Sequence, residues 1–264
     1  MTPPPMGLKQ GPQRPESAHR RVVLPLALAS VALIATGCES TQGKSAKIGA
    51  ELGPVKREQG LKIAKESKDV EVVETTLLAD REGTAVVVEL RNTSGKDLVD
   101  VPIAIDVLDA KGKSVYANTI PGIEPALASL PFIGGGEEAV WVNDQVLAAG
   151  VPAKVEVRVG ASEATFSGEL PQVSVTDPKL EGDPYTGVAA GGEVLNESGS
   201  DLERLLLYGV ARQGGRIVAA GRGAIEPLKA NGKDAPYNIY FIGDPRGADV
   251  TVTEYPSLPG QEQS

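Results

Sequence analysis

The feature that most constrains the fold is a pattern of short β-strands that occurs twice in the chain, about 103 residues apart. Residues 90–98 align with residues 194–202, and both segments place Asn, Ser, Gly, Asp and Leu at matching positions. An Ile-Glu-Pro sequence at residues 123–125 recurs at residues 225–227. Because the two matches occur in the same order, we predict a tandem duplication of one β-domain.

Within the first copy, apolar residues recur at every second position. Val86, Val88 and Leu90 form one such series, which is typical of a strand with one buried face. Later alternating runs follow turns rich in Gly, Asn and Asp, whose side chains and backbone freedom favour chain reversal. Several short strands at this spacing indicate a β-sandwich. The predicted fold is therefore all-β, with two tandem immunoglobulin-like β-sandwich domains.

The amino-terminal region indicates export. Cys38 is the only cysteine, and it follows an apolar run at residues 22–35 that is preceded by basic residues. The run is shorter than the roughly 20 residues of a membrane-spanning helix, and its layout is that of a secretory signal. Paired arginines at residues 20 and 21 leave both the general and the twin-arginine export routes open.

Residues 33–38, Leu-Ile-Ala-Thr-Gly-Cys, resemble the lipobox of bacterial lipoproteins. The resemblance implies cleavage between Gly37 and Cys38, and a diacylglyceryl anchor on the Cys38 sulfur with fatty acids such as palmitate. The alternative is cleavage by an ordinary signal peptidase, which would leave a free thiol. A stable anchor needs two acyl chains, and a diacylglyceryl group supplies both.

The composition divides the rest of the chain. Residues after Cys38 are rich in Lys, Glu, Gln and Gly, a composition that buries too little apolar surface to fold. The predicted organisation is a signal peptide at 1–37, a flexible tether at 38–68, β-sandwich repeats at 69–160 and 171–256 with a connector near 160–172, and a tail at 257–264.

Each copy also resembles the FxLYD family, a small immunoglobulin-like module of bacterial and archaeal envelope proteins. The family pattern runs from a strand through N-x-S-G to a second strand with F-x-L-Y-D. Residues 105–109, Ile-Asp-Val-Leu-Asp, and residues 208–212, Tyr-Gly-Val-Ala-Arg, stand in place of that last motif and depart from it. The resemblance implies the sandwich fold and no particular activity.

The net charge argues against a nucleic-acid partner. The whole chain carries −9, and residues 1–37 contribute +3 of that total, so the mature part carries −12. Binding to nucleic acid requires clustered Lys and Arg to neutralise phosphates.

The residue types argue against catalysis. His19 is the only histidine and lies in the signal peptide, so the mature chain lacks the base of Ser-His-Asp and Cys-His sites and a common zinc ligand. We therefore predict no enzyme activity, no metal and no cofactor. Paired carboxylates, such as Asp106 with Asp109 and Glu137 with Glu138, leave a carboxylate-dependent glycan hydrolase as the alternative.

Aromatic residues are the candidates for a binding surface. Trp141 is the only tryptophan, and it is either a core residue or a platform for a sugar. The cluster at residues 237–242 has apolar residues on both strand faces, which favours burial between the two domains over a partner surface. Trp141, Tyr237 and Tyr240 are the possible partner-surface residues.

Together these features predict a lipid-anchored protein on the extracytoplasmic face of the cell membrane. Its expected role is non-catalytic binding, adhesion or scaffolding at the cell envelope, with an unidentified envelope protein or glycan as partner. The alternatives are a cell-wall glycan hydrolase and an accessory subunit of an envelope export or assembly complex.

Overall fold

A computed structural model describes residues 60–183, 187–230, 232 and 234–258. The predicted signal peptide, its predicted cleavage site at Gly37 and Cys38, and most of the predicted tether lie outside these residues. Within them every regular element is a β-strand, except for one 3₁₀ turn at Pro125–Leu127. The strands form open antiparallel sheets. The prediction of an all-β protein with β-sandwich domains is confirmed.

The first half of the described chain, residues 60–166, forms one sandwich. Its sheet 1 has β3 at the centre, paired with β4, β5, β7 and β8, and its sheet 2 has the order β1-β2-β6. The strands are β1 (Val70–Ala79), β2 (Thr84–Asn92), β3 (Asp97–Leu108), β4 (Ser114–Ala117), β5 (Ser129–Ile133), β6 (Glu138–Asn143), β7 (Lys154–Val159) and β8 (Ala164–Phe166).

The second half, residues 173–258, forms another sandwich. Its sheet 3 has the order β15-β13-β12-β16, and its sheet 4 has the order β10-β11-β14 with β9 also paired to β11. The strands are β9 (Val173–Val175), β10 (Lys179–Asp183), β11 (Gly187–Asn196), β12 (Leu205–Gln213), β13 (Arg216–Ile225), β14 (Ala235–Tyr240), β15 (Ile242–Gly243) and β16 (Asp249–Pro256).

The strand pairing is similar in the two halves. In the first half β2 pairs with β1 and β6, while β3 pairs with β4 and β7. In the second half β11 pairs with β9, β10 and β14, while β12 pairs with β13 and β16. The segments that align in the sequence therefore begin and end corresponding strands. The predicted domain boundaries remain a prediction.

The two N-x-S-G segments form the same buried turn. Asn92 is fully buried, and its Oδ1 accepts hydrogen bonds from the backbone N–H and the hydroxyl of Ser94, at 2.9 and 2.7 Å. Oδ1 of Asn196 accepts the same two bonds from Ser198, at 2.9 and 2.5 Å. Each Nδ2 donates to strand-end carbonyls: those of Lys96, Ile133 and Gly134 from Asn92, and those of Ser200 and Leu228 from Asn196. The residues matched in the sequence are thus those that hold this turn together.

Sheet 2 packs directly against sheet 3, so the two halves share one hydrophobic core. Side chains alternate between the faces of a strand, and both faces of β2 are covered: Val86 and Val87 are each completely buried. Tyr208 and Val210 of β12 belong to the same cluster of buried residues as the interior of the first half. The expectation that β2 has one exposed face is wrong, because the second half covers that face.

Two segments predicted as linkers are bound to the first half. Part of the tether runs beside β7, where the Ser67 N–H donates to the Val159 carbonyl at 2.9 Å and Glu66 pairs with Arg158 at 3.0 Å. The connector near residues 160–172 contains β8, which pairs with the first part of β3. Residues 60–68, which were predicted to belong to the flexible tether, therefore lie on the folded body.

Candidate functional site

A cleft of about 720 Å³ opens where the two halves meet, beside the 3₁₀ turn. Residues from β3, the turn at residues 120–128, the start of β12 and the end of β16 line it. Its walls are mainly apolar and rich in proline, and the lining residues that matter here are Asp100, Ile120, Glu124, Pro125, Arg204 and Tyr255. A concave, mostly apolar site with a few polar groups is the usual form of a binding site.

Arg204 joins the two repeated Ile-Glu-Pro segments in the wall of this cleft. Its Nη2 contacts Oε1 of Glu124, and its Nε lies 2.6 Å from Oε1 of Glu226, without the alignment of a hydrogen bond. The Arg204 side chain is only 17% exposed. The glutamates that match in the two copies therefore bind the same arginine.

Arg222 of β13 extends this network into the junction. Its guanidinium donates to both carboxylate oxygens of Glu124, at 3.1 and 2.8 Å, and its side chain is 7% exposed. Asp144, at the end of β6, accepts a 3.0 Å bond from the Arg222 backbone N–H, and its Oδ1 lies 3.5 Å from Arg222 Nε. We call Glu124, Asp144, Arg204 and Arg222 the junction ion cluster.

The environments of the two cluster carboxylates shift their pKa values in opposite directions. Burial alone would raise the pKa of Glu124, but hydrogen bonds from Arg222 and Arg204 outweigh it and lower that pKa. Burial raises the pKa of Asp144, and the opposing effect of Arg222 does not cancel it. Glu124 is thus held ionised, and Asp144 depends on Arg222 for its charge.

Asp100 is a further carboxylate in the wall of the cleft. It has a left-handed backbone conformation, with φ of +49°, between the residues of β3 that pair with β8 and those that pair with β7. Such a conformation is uncommon for a residue other than glycine. Asp100 reaches solvent, yet partial burial raises the pKa of its carboxyl. The cleft therefore contains two carboxylates, Asp100 and Glu124, with opposite pKa shifts.

Aromatic side chains pack behind the cluster. Trp141 Nε1 donates to the carbonyl of Ala126 at 3.0 Å, and the Tyr208 hydroxyl lies 3.5 Å from the same oxygen. The rings of Tyr208 and Tyr255 are 5.2 Å apart, and the Tyr255 hydroxyl donates to the carbonyl of Val140 at 3.3 Å. Burial raises the pKa of both tyrosines, which remain neutral donors. These contacts hold the 3₁₀ turn against both halves.

The residues predicted as a partner surface are in three different environments. Trp141 is fully buried in the shared core, and Tyr237 is 3% exposed in the core of the second half, where its hydroxyl donates to the Thr176 carbonyl. Neither can contact a partner without unfolding. Tyr240 is 68% exposed. The interpretation that the cluster at residues 237–242 is buried between the domains is wrong for residues 237–240, because β14 lies in sheet 4, on the side of the second half away from the junction. It holds only for Ile242, a buried residue of β15 in sheet 3 that lies against Gly83 of the first half.

The carboxylate pairs noted in the sequence have structural roles. Asp109 accepts backbone bonds from Lys111 and Lys113 at 2.8 and 2.9 Å, so it stabilises its own turn. Asp106 accepts a bond from the Ser114 hydroxyl, and Glu138 pairs with Arg91. Among the described residues no group of three or more His, Cys, Asp and Glu side chains is arranged to hold a metal ion.

Sequence reasoning missed Arg204 and Arg222, because strand periodicity does not reveal which sheet faces another. The repeated Ile-Glu-Pro segment was the available signal, since it contains Glu124 and Glu226. For the aromatic cluster the signal was spacing: Tyr237 and Tyr240 are three residues apart, so they point to opposite faces of a strand.

No family model matches the chain, and no curated protein matches it. In the part of the chain that the structure describes, no helix has the length and apolar character needed to cross a bilayer.

Proposed function

We propose that this chain is a lipid-anchored, non-catalytic binding and scaffolding protein on the extracytoplasmic face of the cell membrane. The lipobox-like segment ending at Cys38 supports the anchor. The arrangement of the cleft supports the binding role.

The binding proposal rests on one observation: the charged side chains Glu124 and Arg204 in the cleft wall are paired with other charged groups of the protein. Glu124 is bound by two arginines, and Arg204 is bound by two glutamates. These groups are neutralised by one another, so they stabilise the shape of the cleft. The remaining wall is formed largely by prolines, Ile120 and Tyr255, which suits an apolar, extended segment of an envelope protein.

The anchor is tested by lipid labelling in cells. The native chain should incorporate a labelled fatty acid and partition into the detergent phase, and Cys38→Ala should lose both properties because two acyl chains provide stable anchoring. Native protein that stays unlabelled in the aqueous phase would refute the anchor.

The binding role is tested by photo-cross-linking in whole cells. A photoreactive residue replaces Ile120, which is 55% exposed at the rim of the cleft, or Leu180, which is 37% exposed on the far sheet and serves as the matched control. We expect one adduct from position 120 that is absent from position 180. If both positions give the same adducts, the cleft is not the binding site. Components of an export or assembly complex among the adducts would favour the accessory-subunit role.

A second candidate function, glycan hydrolysis, is favoured by one observation. Asp100 and Glu124 line the same cleft, and their pKa values are shifted apart, as in pairs of catalytic carboxylates. Turnover of purified wall glycan that is lost in Asp100→Asn and Glu124→Gln, but kept in the matched control Asp106→Asn, would establish it. Absence of turnover by the native protein would reject it.

A further inference from the structure

An apolar loop projects from one end of the first half. The loop joins β6 to β7, and residues 145–153 contain no charged side chain in a chain that is 23% charged. Leu147 is 86% exposed and Val151 is 82% exposed, more than any other large apolar residue identified as exposed. Side chains of this kind on an otherwise acidic protein indicate contact with an apolar environment.

The loop is held in place by the strands beside it. The Ala149 N–H donates to the carbonyl of Val115 at 2.8 Å, and the Ala153 N–H donates to that of Leu108, also at 2.8 Å. The Gln145 N–H donates to Oδ1 of Asn143 at 3.0 Å. These bonds fix the backbone on both sides of Leu147 and Val151, so the two side chains are displayed by an ordered loop.

Lysines lie next to this loop. The turn at residues 109–113 connects Leu108 to β4, the two places to which the loop is bonded. Its Lys111 and Lys113 are exposed, and the structure forms no salt bridge at either one within the described residues. The nearby Asp109 carboxylate accepts their backbone N–H groups. Lys154, at the start of β7, pairs with Glu156 at 2.7 Å. The loop therefore has an apolar tip, and beside it lie two exposed lysines without a salt bridge to any described residue, Lys111 and Lys113, together with the carboxylates of Asp106 and Asp109, which accept hydrogen bonds from neighbouring groups.

We propose that this end of the first half binds the surface of a membrane that contains anionic lipids. Leu147 and Val151 enter the boundary between headgroups and acyl chains, and Lys111 and Lys113 contact the phosphates. The inference rests on the proposed function, because the anchor at Cys38 is what brings the body to the membrane. Gly60 is only 22 positions after Cys38 in the chain, a separation whose greatest possible length is about 80 Å.

A lipid surface fits this loop better than a protein of the same kind. The net charge of −12 on the mature chain opposes both a second copy and an anionic bilayer, so the side chains of the loop and its neighbouring turn decide between them. The two apolar side chains of the loop match the acyl-chain region of an anionic bilayer, and the unpaired lysines beside it match the headgroup phosphates.

The test uses the mature chain with Cys38→Ser, so that no acyl group contributes to binding. We expect it to float with vesicles made of equal parts phosphatidylglycerol and phosphatidylcholine, and to bind much less to phosphatidylcholine alone. Leu147→Asp and Val151→Asp should each lower the bound fraction at least about tenfold, because each removes an apolar side chain from the membrane. The matched control is Tyr240→Asp, which adds the same charge at an exposed apolar residue on sheet 4 and should bind as the parent does.

A second measurement reports the position of the loop directly. Leu147→Cys in the same background provides a single thiol for an environment-sensitive fluorophore, whose emission should shift to the blue on the anionic vesicles. The same fluorophore on Tyr240→Cys should not shift. Lys111→Glu with Lys113→Glu should weaken binding, and raised salt should weaken the parent in the same way.

Three outcomes would overturn the proposal. They are no binding to anionic vesicles, binding that Leu147→Asp and Val151→Asp leave unchanged, and loss of a self-associated species rather than of vesicle binding in Leu147→Asp. Fatty-acid labelling of the native chain tests the lipid anchor independently of the vesicle experiments. If the native chain is labelled but its unacylated form does not bind vesicles, the loop is not a membrane-binding site, and the lipid anchor at Cys38 still stands.

Discussion

Removal of Arg222 is the sharpest test of how the junction is stabilised. In Arg222→Met the length of the side chain is nearly kept and its charge is lost. Glu124 retains Arg204 as a partner, but Asp144, whose side chain is 17% exposed, forms a salt bridge with no other cation among the residues that the structure describes. Breaking a buried ion pair from one side costs about 3 kcal/mol or more, because the other charge stays buried. For a folded unit of this size the midpoint of thermal unfolding should fall by roughly 6–12 °C.

The effect should depend on pH, and its sign follows from the two carboxylates. Asp144 has a raised pKa in the folded protein, so its ionisation opposes folding as the pH rises. Loss of Arg222 raises that pKa further. Glu124 has a lowered pKa, so its stabilising contribution is complete above its unfolded pKa and is lost as the pH falls through its folded pKa. The part of that contribution that the variant loses is therefore felt at neutral pH. The destabilisation should therefore be largest near neutral pH and become smaller in acid.

Urea unfolding followed by the fluorescence of Trp141, the single and fully buried tryptophan, measures this loss. The double variant Arg222→Met with Asp144→Asn should recover part of the stability, because it removes the uncompensated charge. The matched control is Arg91→Met, which breaks the exposed pair with Glu138 and should change stability little. A loss below about 1 kcal/mol, or a loss that is equal at neutral and acid pH, would refute the reasoning.

Asn92→Ala and Asn196→Ala should each destabilise the protein by about 2–4 kcal/mol in urea unfolding, because buried carbonyls lose their hydrogen-bond donor. Asn92 donates to one more carbonyl than Asn196 does, so a smaller loss for Asn92→Ala than for Asn196→Ala would contradict this account. The isolated first half, residues 60–166, should self-associate in sedimentation experiments because the face of Val87 is left bare, and a monomer as stable as the full chain would argue against the shared core. Tyr240→Ala should leave the thermal midpoint unchanged, because this side chain is largely in water; a clear drop in the midpoint would show that the ring packs against the sheet.

Strands such as β7 and β14 could be predicted from the sequence because burial alternates along them, whereas β2 and β12 are buried on both faces. The series at Val86, Val88 and Leu90 is buried as expected, and the repeated asparagine turn recurs in both halves. The junction could not be predicted in this way. Period-two patterns describe one strand at a time, and they contain no information on which sheet covers the second face of β2.

The candidate site was predicted less well than the fold. Trp141 was correctly considered as a core residue, but Tyr237 and Tyr240 were treated together although they lie on opposite faces of β14. The cleft depends on residues that are far apart in the chain: Asp100, Glu124 and Arg204 meet only because the two halves pack together. The sequence shows that these residues are charged, but only the tertiary structure shows that they lie close together.

The packing of sheet 2 on sheet 3 joins unlike surfaces of the two copies, so the contact is heterologous. A heterologous contact does not close on itself, and repeated addition of further copies would produce an open-ended stack. The two outer faces of this protein carry charge where the inner ones are apolar. Asp106, Glu156 and Arg158 lie on sheet 1, and Glu181 and Glu193 lie on sheet 4. We expect those charges to oppose the addition of a further copy, and their replacement with apolar residues to favour an open-ended fibre.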